Sequence, residues 1–171
     1  MDTVKKIFKE WILPFGLEIL VLLFLLKYVF TFVVVPTGSM IPTIDEKSIL
    51  FTTRIHNVEK VQRGDILVFE SEELHETLIK RLIGLPGETV VVDDEGKVTV
   101  DGIPLDEPYV VYPSDRSGEF HVPEGCYLFF GDNRKGSNDA RRWDDPYIPG
   151  DKIIAKARFT LWPFSNFGVL R

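Results

Sequence analysis

The chain has 171 residues, with 20 Lys and Arg against 26 Asp and Glu and a formal charge of −6. That balance excludes a uniformly basic nucleic-acid binder, which needs a stripe of cations to displace counterions from phosphates; 44% hydrophobic residues exclude a wholly disordered chain. One cysteine excludes an intrachain disulfide framework and a multi-cysteine zinc site.

In chain order, Val4, Ile7, Phe8, Trp11 and Ile12 recur at helical spacing with Lys5, Lys6 and Lys9 between them, which predicts a short amphipathic helix on a membrane surface. From Trp11 to Val35, 20 of 25 residues are apolar. As one helix, Pro14 to Val34 would measure about 31 Å, enough to cross a hydrocarbon layer of about 30 Å. Glu18 and Lys27 lie near enough to the ends to extend toward headgroups. A cleaved leader needs small residues near its end, yet Lys27 to Val35 is bulky apart from Thr31. A buried core helix is the soluble alternative, and the β-branched run Phe32–Val35 can instead open the first strand. Three early lysines favour a cytoplasmic N-terminus.

Beyond Pro36 no helical period persists. Short runs of Val, Ile, Leu and Phe, punctuated by Gly, Pro and Asp, predict strands at 48–52, 65–69, 77–83, 89–92, 97–100, 109–111, 126–130 and 152–161. Asp94-Glu95-Gly96 and Asp101-Gly102 are the turn signals between them. In the last run Ile153, Ala155, Ala157, Phe159 and Leu161 share one predicted face, opposite Lys156, Arg158 and Thr160. Cys126, on an apolar strand, reads as a buried structural thiol.

Three segments carry chemistry. In Pro36-Thr37-Gly38-Ser39-Met40-Ile41-Pro42-Thr43, Gly38 permits a tight turn and Pro42 forbids a long helix, so Ser39 sits on a constrained loop. It is four residues past Val35, within about 14 Å of it at ~3.6 Å per residue. A serine nucleophile needs a base, and none of His56, His75 and His121 has a distinctive neighbourhood. Lys80 shares a strand face with Leu78 and Leu82; on such a face it is paired, extends to water, or loses its proton because burial disfavours the ammonium. The third segment, 131–143, is a long polar stretch after the apolar Tyr127–Phe130. In it Asp139 and Arg141 can pair, Ser137 can hydrogen-bond a polar neighbour, and Asp132 with Asp139 form a weak cation-site pattern without a third acid.

Together, an N-terminal anchor, Gly38-Ser39-Met40-x-Pro42-Thr43, Gly64-Asp65-Ile66, Lys80-Arg81-x-x-Gly84-x-Pro86-Gly87 and Gly131-Asp132-Asn133-Arg134-x-x-Ser137-x-Asp139 resemble the bacterial type I signal peptidases, over nearly the whole chain. The resemblance implies a mostly antiparallel β catalytic domain with a small β insertion at 88–125, preceded by a transmembrane helix. It divides the chain into a cytoplasmic or interfacial segment 1–12, an anchor 13–34 and an extracytoplasmic peptidase domain 35–171. It further implies a Ser39 nucleophile, a Lys80 general base and an oxyanion hole from the Ser39 N–H and the Thr37 hydroxyl. Ser137 would orient the lysine, with Asp139, Arg141, Asp132 and Arg134 in support. No cofactor and no metal are implied; the partners are signal peptides of exported preproteins and the lipid bilayer, not nucleic acid. Thr37, Glu88, Ala140 and Asp144 depart from commoner residues at their positions. Two other readings stay open: another Ser/Lys peptidase, self-cleaving or conjugation-associated, and a non-catalytic membrane-anchored β scaffold.

Overall fold

The computed structural model describes residues 8–114 and 116–170. Phe8–Ile12 form one π-helical stretch that runs into an α-helix at Leu13–Tyr28. Val4 and Ile7, on which the surface-helix reading leans, lie outside the described residues. No side chain of the α-helix is buried, and the apolar helical run Glu10–Tyr28 spans about 28 Å at ~1.5 Å per residue. An apolar helix with no protein packed on it is stable only where something other than water covers it.

The helix ends at Tyr28, short of the 13–34 expected. Val29 makes the last helical bond, to Leu25 O, and Phe30–Val34 become strand β1. The physical reason is a partner: β1 pairs along its whole length with β2, Ile49–Arg54, which satisfies its backbone in the extended form that Thr31, Val33 and Val34 prefer. The strands that follow are β3 (Ile66–Ser71), β4 (Glu76–Gly84), β5 (Thr89–Val92), β6 (Val98–Val100), β7 (Ile103–Pro104), β8 (Gly118–His121), β9 (Cys126–Phe130), β10 (Tyr147–Pro149), β11 (Ile153–Trp162) and β12 (Gly168–Val169). They form two antiparallel sheets. One has the order β1-β2-β11-β3-β4-β9-β10, with β12 on β11; the other, within Thr89–His121, has the order β7-β6-β5-β8.

The alternation predicted for β11 holds for Ile153, Ala155 and Ala157, which are buried, and then inverts. Its pairing with β2 slips between Ala157 and Phe159 and again between Thr160 and Trp162. A bulge moves side chains to the opposite face, so Arg158 and Phe159 both point outward and Thr160 turns in. The run 109–111 is a turn and loop rather than a strand. Its Tyr109 instead lies under the Arg81 guanidinium, 3.8 Å from the ring centroid. Cys126 is half-buried rather than buried. At the β5–β6 turn Gly96 has φ +80°, and a Cβ there would sit 2.4 Å from Ser114 O, so the glycine is required.

The core is shared by both sheets. Val90, Val92, Val98 and Val100 of the smaller one pack with Leu82, Phe129 and Phe130 of the larger, while Met40, Ile44, Leu50 and Val68 fill a second cluster behind the turn that carries Ser39. That turn is anchored by its own buried methionine.

Candidate active site

Ser39 lies in a 3₁₀ turn, Gly38–Met40, just after β1, and only 6% of it is exposed. Lys80 lies in β4, opposite Leu67 of β3, at the base of a cleft, and is 3% exposed. The Lys80 Nζ donates to Ser39 Oγ at 2.6 Å, and the Thr37 hydroxyl donates to the same oxygen at 3.3 Å. Burial lowers the Lys80 pKa from 10.5 to about 8, against the opposing pull of the Asp139 and Asp132 carboxylates. A neutral amine at this distance accepts the hydroxyl proton, so the pair can exchange a proton near physiological pH.

The histidines stand elsewhere. His56 Nε2 is 2.7 Å from Tyr28 O, His121 contacts Thr89 and Glu119, and His75 occupies the β3–β4 turn. None lines the cleft of about 460 Å³ that opens over Thr37, Ser39, Leu78, Lys80, Asn133 and Asn138.

The segment after β9 supports the serine turn. Asn133 N donates to Ser39 O at 3.1 Å, and Asn133 Nδ2 donates to Gly38 O at 3.1 Å. The completely buried Asp132 accepts from Arg81 Nε and Nη2 at 2.8 and 2.7 Å and from the Thr43 hydroxyl at 2.5 Å. One carboxylate thereby ties β4, beside Lys80, to the loop beside Ser39. Asp139 accepts from Arg141 Nε and Nη2 at 2.9 and 2.8 Å and from Gly131 N at 2.9 Å. Arg134 bonds Gly131 O at 3.1 Å and forks onto Glu107 at 3.0 and 2.5 Å. Both aspartates are thus committed to arginines, which accounts for the weak cation pattern in the sequence.

Ser137 differs from the expectation. It is completely buried, but its Oγ has no hydrogen-bond partner among the described residues, Lys80 included, so the implied contact to Lys80 is not formed. Its hydroxyl packs against Gly131 instead: a Cβ on Gly131 would lie 2.2 Å from Ser137 Oγ and 2.5 Å from Ser39 O. Gly131 is required here because the loop and the serine turn meet at backbone contact distance.

Sequence reasoning assigned no role to Arg81, Thr43, Asn133 or Glu107. Thr43, Arg81 and Asn133 all lie inside the motifs that carry the resemblance, which is a usable signal. Glu107 had none, because its partner Arg134 is 27 residues away.

The model of the family "Signal peptidase, peptidase S26" matches residues 8–162. The chain belongs to that family. It is 37% identical to a signal peptidase I from Leptolyngbya laminosa, covering 94% of this chain and 83% of the relative. It is 30% identical to a signal peptidase I from Bacillus caldolyticus, with 93% of each chain covered. A crystal structure of a signal peptidase I from Enterococcus faecalis V583 shares 31% identity, with a TM-score of 0.48, over 57% of this chain and 96% of that one. With its bare apolar helix, this member of the family is membrane-anchored.

Proposed function

We propose that the chain is a serine endopeptidase that removes N-terminal signal peptides from exported preproteins at the outer face of the cytoplasmic membrane. The observation that carries this reading is the buried 2.6 Å contact between Lys80 Nζ and Ser39 Oγ. Neutral Lys80 takes the Ser39 hydroxyl proton as Oγ adds to the scissile carbonyl. The resulting ammonium returns a proton to the leaving amine as the C–N bond breaks, which leaves an ester on Ser39. Lys80, neutral again, deprotonates a water that attacks the ester; the ammonium then returns the proton to Ser39 Oγ as the Oγ–C bond breaks, which restores the serine and releases the signal peptide as a carboxylic acid that ionises in solvent. The oxyanion is held by the Ser39 N–H and by the Thr37 hydroxyl, whose oxygen already stands 3.3 Å from Oγ. Asp132, Asp139, Arg134 and Arg141 hold the two loops in register.

The sheet supports an extended substrate. β4 pairs with β9 only from Arg81 onward, so the edge of Glu76–Leu78 that faces away from β3 is open beside the cleft. An extended peptide can add to such an edge through its backbone. Next to Ser39 lies an apolar pocket of about 80 Å³ formed by Val33, Pro36, Val68, Leu78 and Ile79, which suits a small side chain before the scissile bond. The outward face of β1, β2 and β11 carries Phe30, Phe32 and Phe51 in mutual ring contact, with Phe159 against Phe51. Continuous with the helix exit, it rests on the bilayer, and Trp162, Phe164 and Phe167 extend it.

The test is cleavage of a preprotein in detergent, with N-terminal sequencing of the product. The wild-type chain yields one mature N-terminus preceded by small side chains, Ser39→Ala yields none, and a variant with all three histidines changed to Ala still cleaves. Turnover by Ser39→Ala, or its loss on removing the histidines, overturns the dyad.

A further inference from the structure

A second cleft, of about 300 Å³, lies away from Ser39, where β2 ends and β11 begins beside the helix. Four cationic side chains line it, Arg54, Lys60, Lys156 and Arg158, together with His56. Its one lining carboxylate, Asp65, is already engaged by Lys156 and by Gln62 N. This concentration of positive charge stands in a chain of net charge −6, so the overall composition does not explain it.

Two further observations point to a ligand. First, the Arg54 guanidinium has no ion pair or hydrogen-bond partner among the described residues: its Nε is covered and unmet, and the rest of the group lines the cleft, where an acceptor from outside the chain can meet it. Second, the cleft is fastened to the end of the span. Arg54 N donates to Val29 O at 2.8 Å, and His56 Nε2 is 2.7 Å from Tyr28 O. With this helix read as the membrane span, its end at Tyr28 marks the passage from hydrocarbon to headgroups and puts the cations at the depth of the lipid phosphates. The aromatic face of β1 and β2 continues into this basic margin, since Phe30 pairs with Thr53 and Thr53 with Lys156. Apolar rings followed by cations across an interface match acyl chain followed by phosphate.

We propose that this cleft binds the phosphate headgroup of an anionic phospholipid and so fixes the height and tilt of the catalytic domain over the bilayer. The inference rests on the reading of the helix as a transmembrane anchor and is separable from the dyad chemistry. Arg54, Lys60 and Arg158 contribute the binding charge, while Lys156 is held back by Asp65.

The test uses the full-length protein in neutral detergent with phosphatidylglycerol or phosphatidylcholine added, bound lipid being counted by native mass spectrometry. Wild-type protein retains phosphatidylglycerol preferentially, and the preference falls with salt. Arg54→Gln/Lys60→Gln/Arg158→Gln lowers it by about fivefold for each cation removed, while preprotein cleavage in neutral detergent stays at the wild-type rate. Lys60→Gln alone, at an exposed position, gives one step of that loss even if the triple variant folds poorly. Equal retention of the two lipids by wild type, or an unchanged preference in Lys60→Gln and the triple variant, overturns the proposal. Displacement of the lipid by millimolar inorganic phosphate also overturns it, because the site would then take free phosphate. Loss of preprotein cleavage in Ser39→Ala together with an intact lipid preference keeps the two readings apart.

Discussion

Lys80→Met is expected to lose preprotein cleavage by about a thousandfold or more, the range that the proposed role of Lys80 as general base predicts when its partner has no substitute. The same variant is expected to be more stable than wild type. Burial lowers the pKa of this lysine from 10.5 to about 8, so a proton bound at neutral pH is bound less tightly in the folded chain than in the unfolded one. At ~1.4 kcal/mol per tenfold, holding that ammonium out of water costs about 2–4 kcal/mol. Methionine fills similar space without charge and removes the cost, offset in part by the lost bond to Ser39. Thermal unfolding in detergent at pH 7, beside a cleavage assay, reads both effects. A Lys80→Met protein that cleaves preprotein, or one that unfolds well below wild type, contradicts this account.

The same pKa sets the pH dependence, in a direction opposite to that of a paired lysine. In the proposed mechanism Lys80 acts when neutral, which predicts that kcat/KM climbs about tenfold per pH unit below pH 8 and levels off above it. For stability, the unfolded chain binds the proton more tightly, so the cost is fully present below about pH 8 and fades as pH rises through the unfolded value of 10.5. Between those limits wild type gains stability relative to Lys80→Met. A pH–rate profile that is flat from pH 6 to 9 contradicts the assignment.

Asp132→Ala is the second large effect, and it acts on folding. Asp132 is completely buried and receives two Arg81 nitrogens and the Thr43 hydroxyl. Removing it takes two charge-assisted hydrogen bonds from the buried Arg81 guanidinium and one from Thr43, which costs about 3–5 kcal/mol. For a chain of this size, that lowers Tm by roughly 10 °C or more. Activity falls as well, because Arg81 adjoins Lys80 and Asn133, the neighbour of Asp132, holds Ser39 O. Asp132→Asn keeps the shape and one acceptor and falls between the two. Thermal unfolding by near-UV circular dichroism ranks the three proteins; a Tm for Asp132→Ala within 2–3 °C of wild type would show that the pair contributes little.

Much of this molecule is legible in its residues, and the places where it is not have specific causes. The strands at Thr89–Val92, Cys126–Phe130 and most of β11 follow from local alternation and turn signals, which act over a few residues. The end of the apolar helix does not, because Phe30–Val34 continue its apolar run without a break and are claimed by β2, a partner about twenty residues away. The inversion of β11 after Ala157 is likewise a matter of register against β2 and leaves no mark in composition. Ser39 and Lys80 stand out by motif, yet the motif does not place their atoms.

The sequence by itself determined that an apolar N-terminal helix leads into an acidic β domain, that Ser39 lies on a turn close behind it, and that Lys80 sits on an apolar strand face. These are short-range facts, written in periodicity and in the backbone limits of Gly and Pro. Only the tertiary structure decided that Lys80 Nζ reaches Ser39 Oγ across 41 residues, that Ser137 packs on Gly131, and that Arg134 turns to Glu107. It also decided that four cations meet where the helix ends. Burial and long-range pairing depend on the whole chain closing around a residue, and that closure is also what strips water from the lysine and lowers its pKa.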